Sequence, residues 1–169
     1  MDQLYGMSGT GCCPRFDPRL WMDQRIVWRN KLFVKYTVRS LFHVPWNLKK
    51  VLSEKREIIQ FAGALALQPL ILSYEKGFFT SEIYVAVNRE VPGEEIVKLS
   101  GTFLTKVYEG SSKSMGDWIK EMKKYVKSKN EEIEKLYFFF TTCPECAKVY
   151  GENYVVFLAK IKEGSDKKK

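Results

Sequence analysis

The feature that most constrains the fold is an order of secondary-structure patterns that occurs twice along the chain. In each half an alternating strand pattern precedes an amphipathic helix, and two further strand patterns follow. Four pairs of identical residues are each separated by 70 positions: Phe33 and Phe103, Glu82 and Glu152, Tyr84 and Tyr154, and Val85 and Val155. The sequence therefore predicts two βαββ repeats at one constant offset.

The first repeat, about residues 31–88, is predicted to contain a strand, a helix and a β-hairpin. Its strands are rich in β-branched and aromatic residues, and Gly63 is a natural stop for its helix. Glu75, Lys76 and Gly77 form the turn signal of the hairpin. The predicted elements occupy residues 31–39, 48–62, 70–74 and 81–88.

The second repeat, about residues 101–161, follows the same order. Ser114 is the predicted N-cap of its helix, which carries an apolar stripe at helical spacing. That stripe consists of Trp118, Ile119, Met122, Tyr125 and Val126. The predicted strands occupy residues 101–110, 136–142 and 152–161.

Composition favours one α+β domain over residues 16–162, with a flexible leader at 1–15 and a disordered tail at 163–169. A 45% hydrophobic share is enough for one core. The longest apolar stretch, residues 61–72, is too short to span a membrane, and no secretory signal is evident, so we expect a cytoplasmic protein. The net charge of +8 comes mostly from dispersed lysines, which makes a nucleic-acid partner unlikely in the absence of a binding motif.

Alternation along the strands predicts one sheet whose two helices cover one face, leaving the other face open or half covered. Ile83, Val85 and Val87 suit the helix-covered side, which directs Glu82 and Tyr84 to the open side. The repeat predicts the same open side for Glu152 and Tyr154. The first strands of the two repeats are expected to add Phe33, Lys35, Thr37, Arg39, Phe103, Thr105, Val107 and Glu109 to it. Trp21, Trp28 and Trp46 flank the first repeat and are candidates to cover it.

The order of elements resembles GyrI-like or SOUL-type effector-binding domains over roughly residues 32–161. The segment 82–87 (EIYVAV) is similar to a strand of that superfamily, and residues 101–110 are similar to the strand before its second helix. The segment 141–154 (TTCPECAKVYGENY) also looks like the ending of short bacterial proteins. The resemblance implies a small-molecule binding domain, and some members hydrolyse strained electrophilic toxins.

One strand departs from that resemblance. Drug-binding members carry a Glu beside a Tyr in the penultimate strand, whereas residues 136–140 here read LYFFF. Glu82, Glu109 or Glu152 is a candidate replacement for the missing carboxylate. The candidate ligand-binding residues are Phe33, Arg39, Glu82, Tyr84, Phe103, Glu109, Tyr137, Glu152 and Tyr154.

Three functions remain open from the sequence, and no cofactor is expected. The leading one is a module that binds an aromatic or amphipathic small molecule in an aromatic cleft bearing carboxylates. The second is a hydrolase in which Glu109, buried among Tyr84, Tyr154 and Phe103, activates water; alternatively, Glu109 pairs with Arg39. The third is a protein-interaction domain.

The sharpest short motif is Cys143-Pro-Glu-Cys146, which has three interpretations. A C-x-x-C pair supplies half of a zinc site or a redox dithiol, and Cys12, Cys13 and His43 are the remaining candidate ligands. The favoured interpretation is a loop between two strands in which the reduced thiols pack as small apolar groups. No metal is therefore expected.

Overall fold

The computed structural model describes residues 16–41, 44–45, 47–66, 70–141 and 148–164, and it confirms the α+β class. Within those ranges, and apart from one two-residue strand, the order strand, helix, strand, strand occurs twice. The first half contains β1 (Arg25–Leu41), β2 (Val44–Pro45), α1 (Leu48–Phe61), β3 (Ile71–Glu75) and β4 (Thr80–Ala86). The second contains β5 (Ile96–Glu109), α2 (Met115–Ser128), β6 (Ile133–Phe140) and β7 (Tyr154–Ile161).

Pairing between β1 and β5 closes the sheet on itself. The hydrogen-bonded order is β2-β1-β4-β3-β6-β7-β5, and β5 also pairs with β1, so all strands except β2 form a cycle. Every pairing is antiparallel. Because a closed sheet has two distinct sides, alternate residues of each strand face inward or outward.

Both helices pack on the outer side, as predicted. Ile59 of α1 is buried with Val34, Ile83 and Val87. On the other half, Trp118, Met122 and Val126 of α2 are buried against β5 and β7, including Leu104, Val155 and Phe157. Fully burying a side chain of this size stabilises the fold by about 1.5–3 kcal/mol. The apolar stripes of the helices therefore fix which side of the sheet faces outward.

The face predicted to be open is the interior of the cycle, and it is packed with side chains. Phe33 and Phe103 lie there and are both 0% exposed. Trp21 is buried in the same cluster and Trp28 packs against it, whereas Trp46, the third candidate covering residue, lies outside the described residues. An open concave surface was the wrong expectation, because closure by β1 and β5 turns this face inward.

The predicted constant offset of 70 residues fails in the last strand of the second half. Tyr84 lies opposite Lys35, but Thr105, which follows Lys35 by 70 positions, lies opposite Leu158. Leu158 therefore occupies the place in its half that Tyr84 occupies in the first. Tyr154 is not the counterpart of Tyr84, although the order of elements is the same.

Gly101 provides a test of the closure. It lies opposite Trp28 in the β1–β5 pairing and has a φ of +131°, which strains any residue with a Cβ; the nearest atom to an added Cβ is Lys160 Cε at 2.9 Å, and that flexible side chain can move aside. We expect Gly101→Ala to lower the free energy of unfolding by about 1–3 kcal/mol. Urea unfolding followed by circular dichroism measures the change.

Gly77→Ala is the matched control, because nothing lies within 4 Å of a Cβ at that position. It should change stability by less than about 0.5 kcal/mol. Equal effects of the two substitutions would contradict a specific strain at the closure.

Candidate functional site

Five aromatic side chains form a continuous cluster on the inner side of the closed sheet. Around this cluster, successive ring centroids are 4.5–6.3 Å apart. We call it the inner aromatic cluster; in contact order its members are Trp28, Phe33, Tyr84, Tyr137 and Phe103. The edge-to-face and tilted contacts within it suit the quadrupoles of aromatic rings. Four of the five were predicted as binding residues from the sequence.

The cluster has a buried centre and an accessible edge. Phe33, Phe103 and Tyr137 are almost completely buried. Trp28 is half-buried, and so is Tyr74, whose ring centroid is 5.7 Å from that of Tyr137. Access to the cluster from solvent is therefore greatest beside Trp28 and Tyr74.

Glu82 brings a carboxylate to this aromatic surface. It lies opposite Tyr74 on one side and Thr37 on the other, and it is only 7% exposed. The Tyr84 hydroxyl donates a hydrogen bond to its Oε2. Lys76 Nζ is 3.4 Å from its Oε1, and Lys35 Nζ is 4.0 Å from the same atom. The inward orientation predicted for Glu82 and Tyr84 thus produces one hydrogen-bonded pair.

Opposing effects act on the pKa of Glu82. Burial alone would raise it, but the Tyr84 hydrogen bond and the charges of Lys35 and Lys76 together hold the pKa below its usual value. Burial also raises the pKa of Tyr84, and the negative charge of Glu82 adds to that effect. At neutral pH the pair is therefore an ionised carboxylate and a neutral phenol.

Glu109, Glu152 and Tyr154 lie in a separate group near one end of β5 and β7. Glu109 is directly opposite Tyr154 and is exposed. Burial raises the pKa of Tyr154, and the nearby Glu109 and Glu152 raise it further. The Tyr154 ring contacts Phe16 at 5.8 Å between centroids. The hypothesis of a Glu109 carboxylate buried among Tyr84 and Phe103 was therefore wrong.

Arg39 does not join either group. It is exposed, lies opposite Thr80, and its backbone N–H donates to Asn47 Oδ1. Arg39 and Glu109 occupy the parts of β1 and β5 that extend in opposite directions beyond their mutual pairing. The suggested Arg39–Glu109 ion pair is wrong for that reason.

Sequence reasoning missed Tyr74 and Lys76 as parts of the site. Tyr74 follows Leu72 by two residues, so alternation in β3 was an available signal for its inward direction. Lys76 lies in the turn after β3, where no periodic pattern indicates which way a side chain points. Only the folded hairpin brings Lys76 to Glu82.

The described residues contain no group of three or more His, Cys, Asp or Glu arranged to hold a metal ion. Cys143 and Cys146 lie outside those residues, as do Cys12, Cys13 and His43, so all three interpretations of the C-x-x-C motif remain predictions. In the same part of the chain, no helix combines the length and apolarity required to cross a membrane.

Several solved structures share this fold. SAV2435 bound to tetraphenylphosphonium is similar with a TM-score of 0.53 and 10% identity over 83% of this chain and 93% of that chain. The EcmrR C-terminal domain is similar with a TM-score of 0.60 and 12% identity over 84% of this chain and 99% of that chain. A hydrolase from Listeria innocua is similar with a TM-score of 0.56 and 8% identity over 84% of this chain and 92% of that chain. The protein thus shares the overall fold of these three structures.

The family assignment comes from the sequence itself. Residues 5–161 match the family described as bacterial hydrolase. Because the match extends over most of the chain, the protein belongs to that family. No curated protein is significantly similar to it.

The Glu82–Tyr84 pair predicts a pH-dependent stability. Glu82→Gln should lower the free energy of unfolding near neutral pH by about 1–3 kcal/mol, because it removes charge-assisted contacts. A lowered folded-state pKa stabilises the fold above the unfolded pKa of about 4.3, and that contribution is lost as the pH falls further. Urea unfolding at about pH 7 and pH 3.5 should therefore show the difference between wild type and variant shrinking at acid pH.

Glu109→Gln is the control, because it changes the same functional group at an exposed position. It should alter stability by less than about 0.5 kcal/mol. A Glu82→Gln difference that stays constant across this pH range would contradict the assigned pKa direction.

Proposed function

We propose that the protein binds an aromatic or amphipathic small molecule at the inner aromatic cluster. The observation that carries this proposal is a buried carboxylate, Glu82, held by Tyr84 beside a continuous set of aromatic rings. Aromatic walls with a few fixed polar groups are typical of small-molecule sites. The walls provide apolar contact area, and the polar groups set the orientation of the ligand.

Binding requires movement at the edge of the cluster, because its centre is filled. Trp28 is half-buried and contacts both Phe33 and Phe103. We propose that its indole moves aside and then packs on the ligand. When the Trp28 ring packs on the ligand, that contact takes the place of its contacts to Phe33 and Phe103. The net free-energy cost of opening is therefore small compared with the free energy gained by burying apolar area of the ligand.

The comparisons support this proposal through the fold. SAV2435, which shares the fold, is bound to tetraphenylphosphonium, a molecule with four aromatic rings. At 10% identity the likeness carries no residue roles to this chain. The support is that another protein with this fold is bound to an aromatic molecule.

The binding proposal is tested with N-phenyl-1-naphthylamine, an uncharged aromatic probe whose fluorescence rises in apolar surroundings. We expect the wild-type protein to bind it and Trp28→Ala to weaken binding by about tenfold, since loss of an aromatic contact and its buried area exceeds 1.4 kcal/mol. Fluorescence titration gives both dissociation constants.

Phe78→Ala is the matched control, because Phe78 is an aromatic residue that is 93% exposed. It should leave the dissociation constant unchanged. Absence of binding to wild type, or equal weakening by both substitutions, would overturn the proposed site.

A hydrolase is the second candidate, favoured by the family description. In this mechanism Glu82 accepts a proton from a water molecule as the water oxygen attacks an electrophilic carbon of the bound molecule; the bond from that carbon to its leaving oxygen breaks, and the leaving oxygen takes a proton from solvent. The lowered pKa of Glu82 makes it a weaker base than one with a pKa near 7. That property favours binding as the primary function over hydrolysis.

Turnover of an aromatic epoxide tests the alternative. Styrene oxide would gain one water molecule to give phenylethanediol, a product that mass spectrometry detects. Hydrolysis at Glu82 predicts that Glu82→Gln abolishes product formation, whereas Glu109→Gln retains it. Equal product with and without protein would reject hydrolysis of this substrate class and leave binding as the proposed function.

A further inference from the structure

Lys31 lies at the edge of the inner aromatic cluster because of a bulge in β1. Trp28 pairs with Gly101 and Lys31 pairs with Leu99, so β1 contains one residue more than β5 between these pairs. Asn30, within the bulge, has a φ of 51°. The extra residue turns both Trp28 and Lys31 to the inner side. As a result, Lys31 Nζ is 5.7 Å from the centre of the Trp28 ring.

The charge of Lys31 is not balanced by an acidic group, in contrast to that of the lysines around Glu82. Lys76 and Lys35 are both within 4.0 Å of Glu82, and Lys35 Nζ is also 2.8 Å from Glu95. Among the residues that the structure describes, no carboxylate forms an ion pair with Lys31. Burial lowers the pKa of its amine, and no nearby charge opposes that effect.

In this arrangement the Glu82 carboxylate already has cationic partners. The Lys31 amine has no anionic partner among the described residues. A half-buried ammonium group gains most from an anion that arrives together with apolar surface, since both replace lost hydration. The Trp28 ring offers that apolar contact directly beside the amine. The electrostatics of the edge therefore favour a negatively charged ligand group.

We propose that Lys31 is an anion subsite and that the ligand is an aromatic molecule bearing an acidic group, such as a carboxylate or sulfonate. The inference rests on the proposed binding function and specifies its ligand class. The aromatic body packs in the cluster beside Trp28, and the acidic group accepts hydrogen bonds from Lys31 Nζ. The proposed ligand is an anion, so its charge is opposite to that of tetraphenylphosphonium, the cation bound by SAV2435.

Two probes with the same aromatic skeleton test the subsite. 1-Anilinonaphthalene-8-sulfonate carries a sulfonate that N-phenyl-1-naphthylamine lacks. We expect Lys31→Met, which keeps much of the side-chain length, to weaken sulfonate binding by about tenfold, the effect of one charge-assisted contact. Binding of the uncharged probe should change by less than about twofold. Competition between the probes establishes that they share one site.

Two further variants control for charge and for folding. Lys31→Arg keeps a cation and should retain sulfonate binding within about threefold of wild type. Lys106→Met removes a lysine that also lies over an aromatic ring, 4.8 Å from the centre of Tyr125, but on the outer side and paired with Asp23. It should change neither dissociation constant. A cooperative thermal transition in each variant shows that the fold is intact.

The outcomes separate this inference from the function on which it rests. If neither probe binds to wild type, the proposed binding function fails. If the uncharged probe binds but Lys31→Met weakens both probes equally, or neither, the anion subsite is overturned and the aromatic site stands. Tighter binding of tetraphenylphosphonium than of the sulfonate to wild type would also overturn it.

Discussion

The antiparallel pairing of β1 with β5 is the interaction on which the rest of the structure depends. Residues 25–34 of β1 pair with β5, and its later residues pair with β4 and β2; residues 96–104 of β5 pair with β1, and its later residues pair with β7. The pairing closes the sheet and gives it an interior. Without it, the strands would form one open sheet, and the inward residues of both halves would lie on a single face exposed to water. With it, they share one buried aromatic core.

Closure also explains why a carboxylate is found so deep in this fold. Glu82 is carried inward by the same alternation that places Tyr84 in the inner aromatic cluster. A buried charge is costly unless it is paired, and the Tyr84 hydroxyl together with two lysines provides the pairing. The polar side of the site is thus a consequence of strand register, and Lys76 completes it from the hairpin turn.

Local patterns predicted much of this fold and half of the site. Period-two alternation identified the inward set that includes Phe33, Glu82 and Tyr84, and helical spacing identified the buried stripe of α2. The repeat was interpreted too literally, because thirteen residues separate β6 from β7 in the sequence whereas four separate β3 from β4. That difference shifts the register of β7, so identical residues at one offset do not occupy matching positions.

Long-range closure was the part that sequence patterns did not contain. Whether a strand face is open or enclosed depends on which strands meet at the edges of the sheet, and β-branched alternation is the same in both cases. The bulge that turns Lys31 beside Trp28 likewise has only Asn30 as a local signal. These features come from pairing between distant segments, and they determine the chemistry of the site.

The central claim, that small molecules bind at the inner aromatic cluster, is tested most directly by NMR of the four tryptophan indole N–H groups. Trp28 lies in that cluster, and Trp118 packs on the outer side with α2. Titration with N-phenyl-1-naphthylamine should shift the Trp28 signal progressively and leave the Trp118 signal in place. A shift of Trp118 with no change at Trp28 would contradict the account.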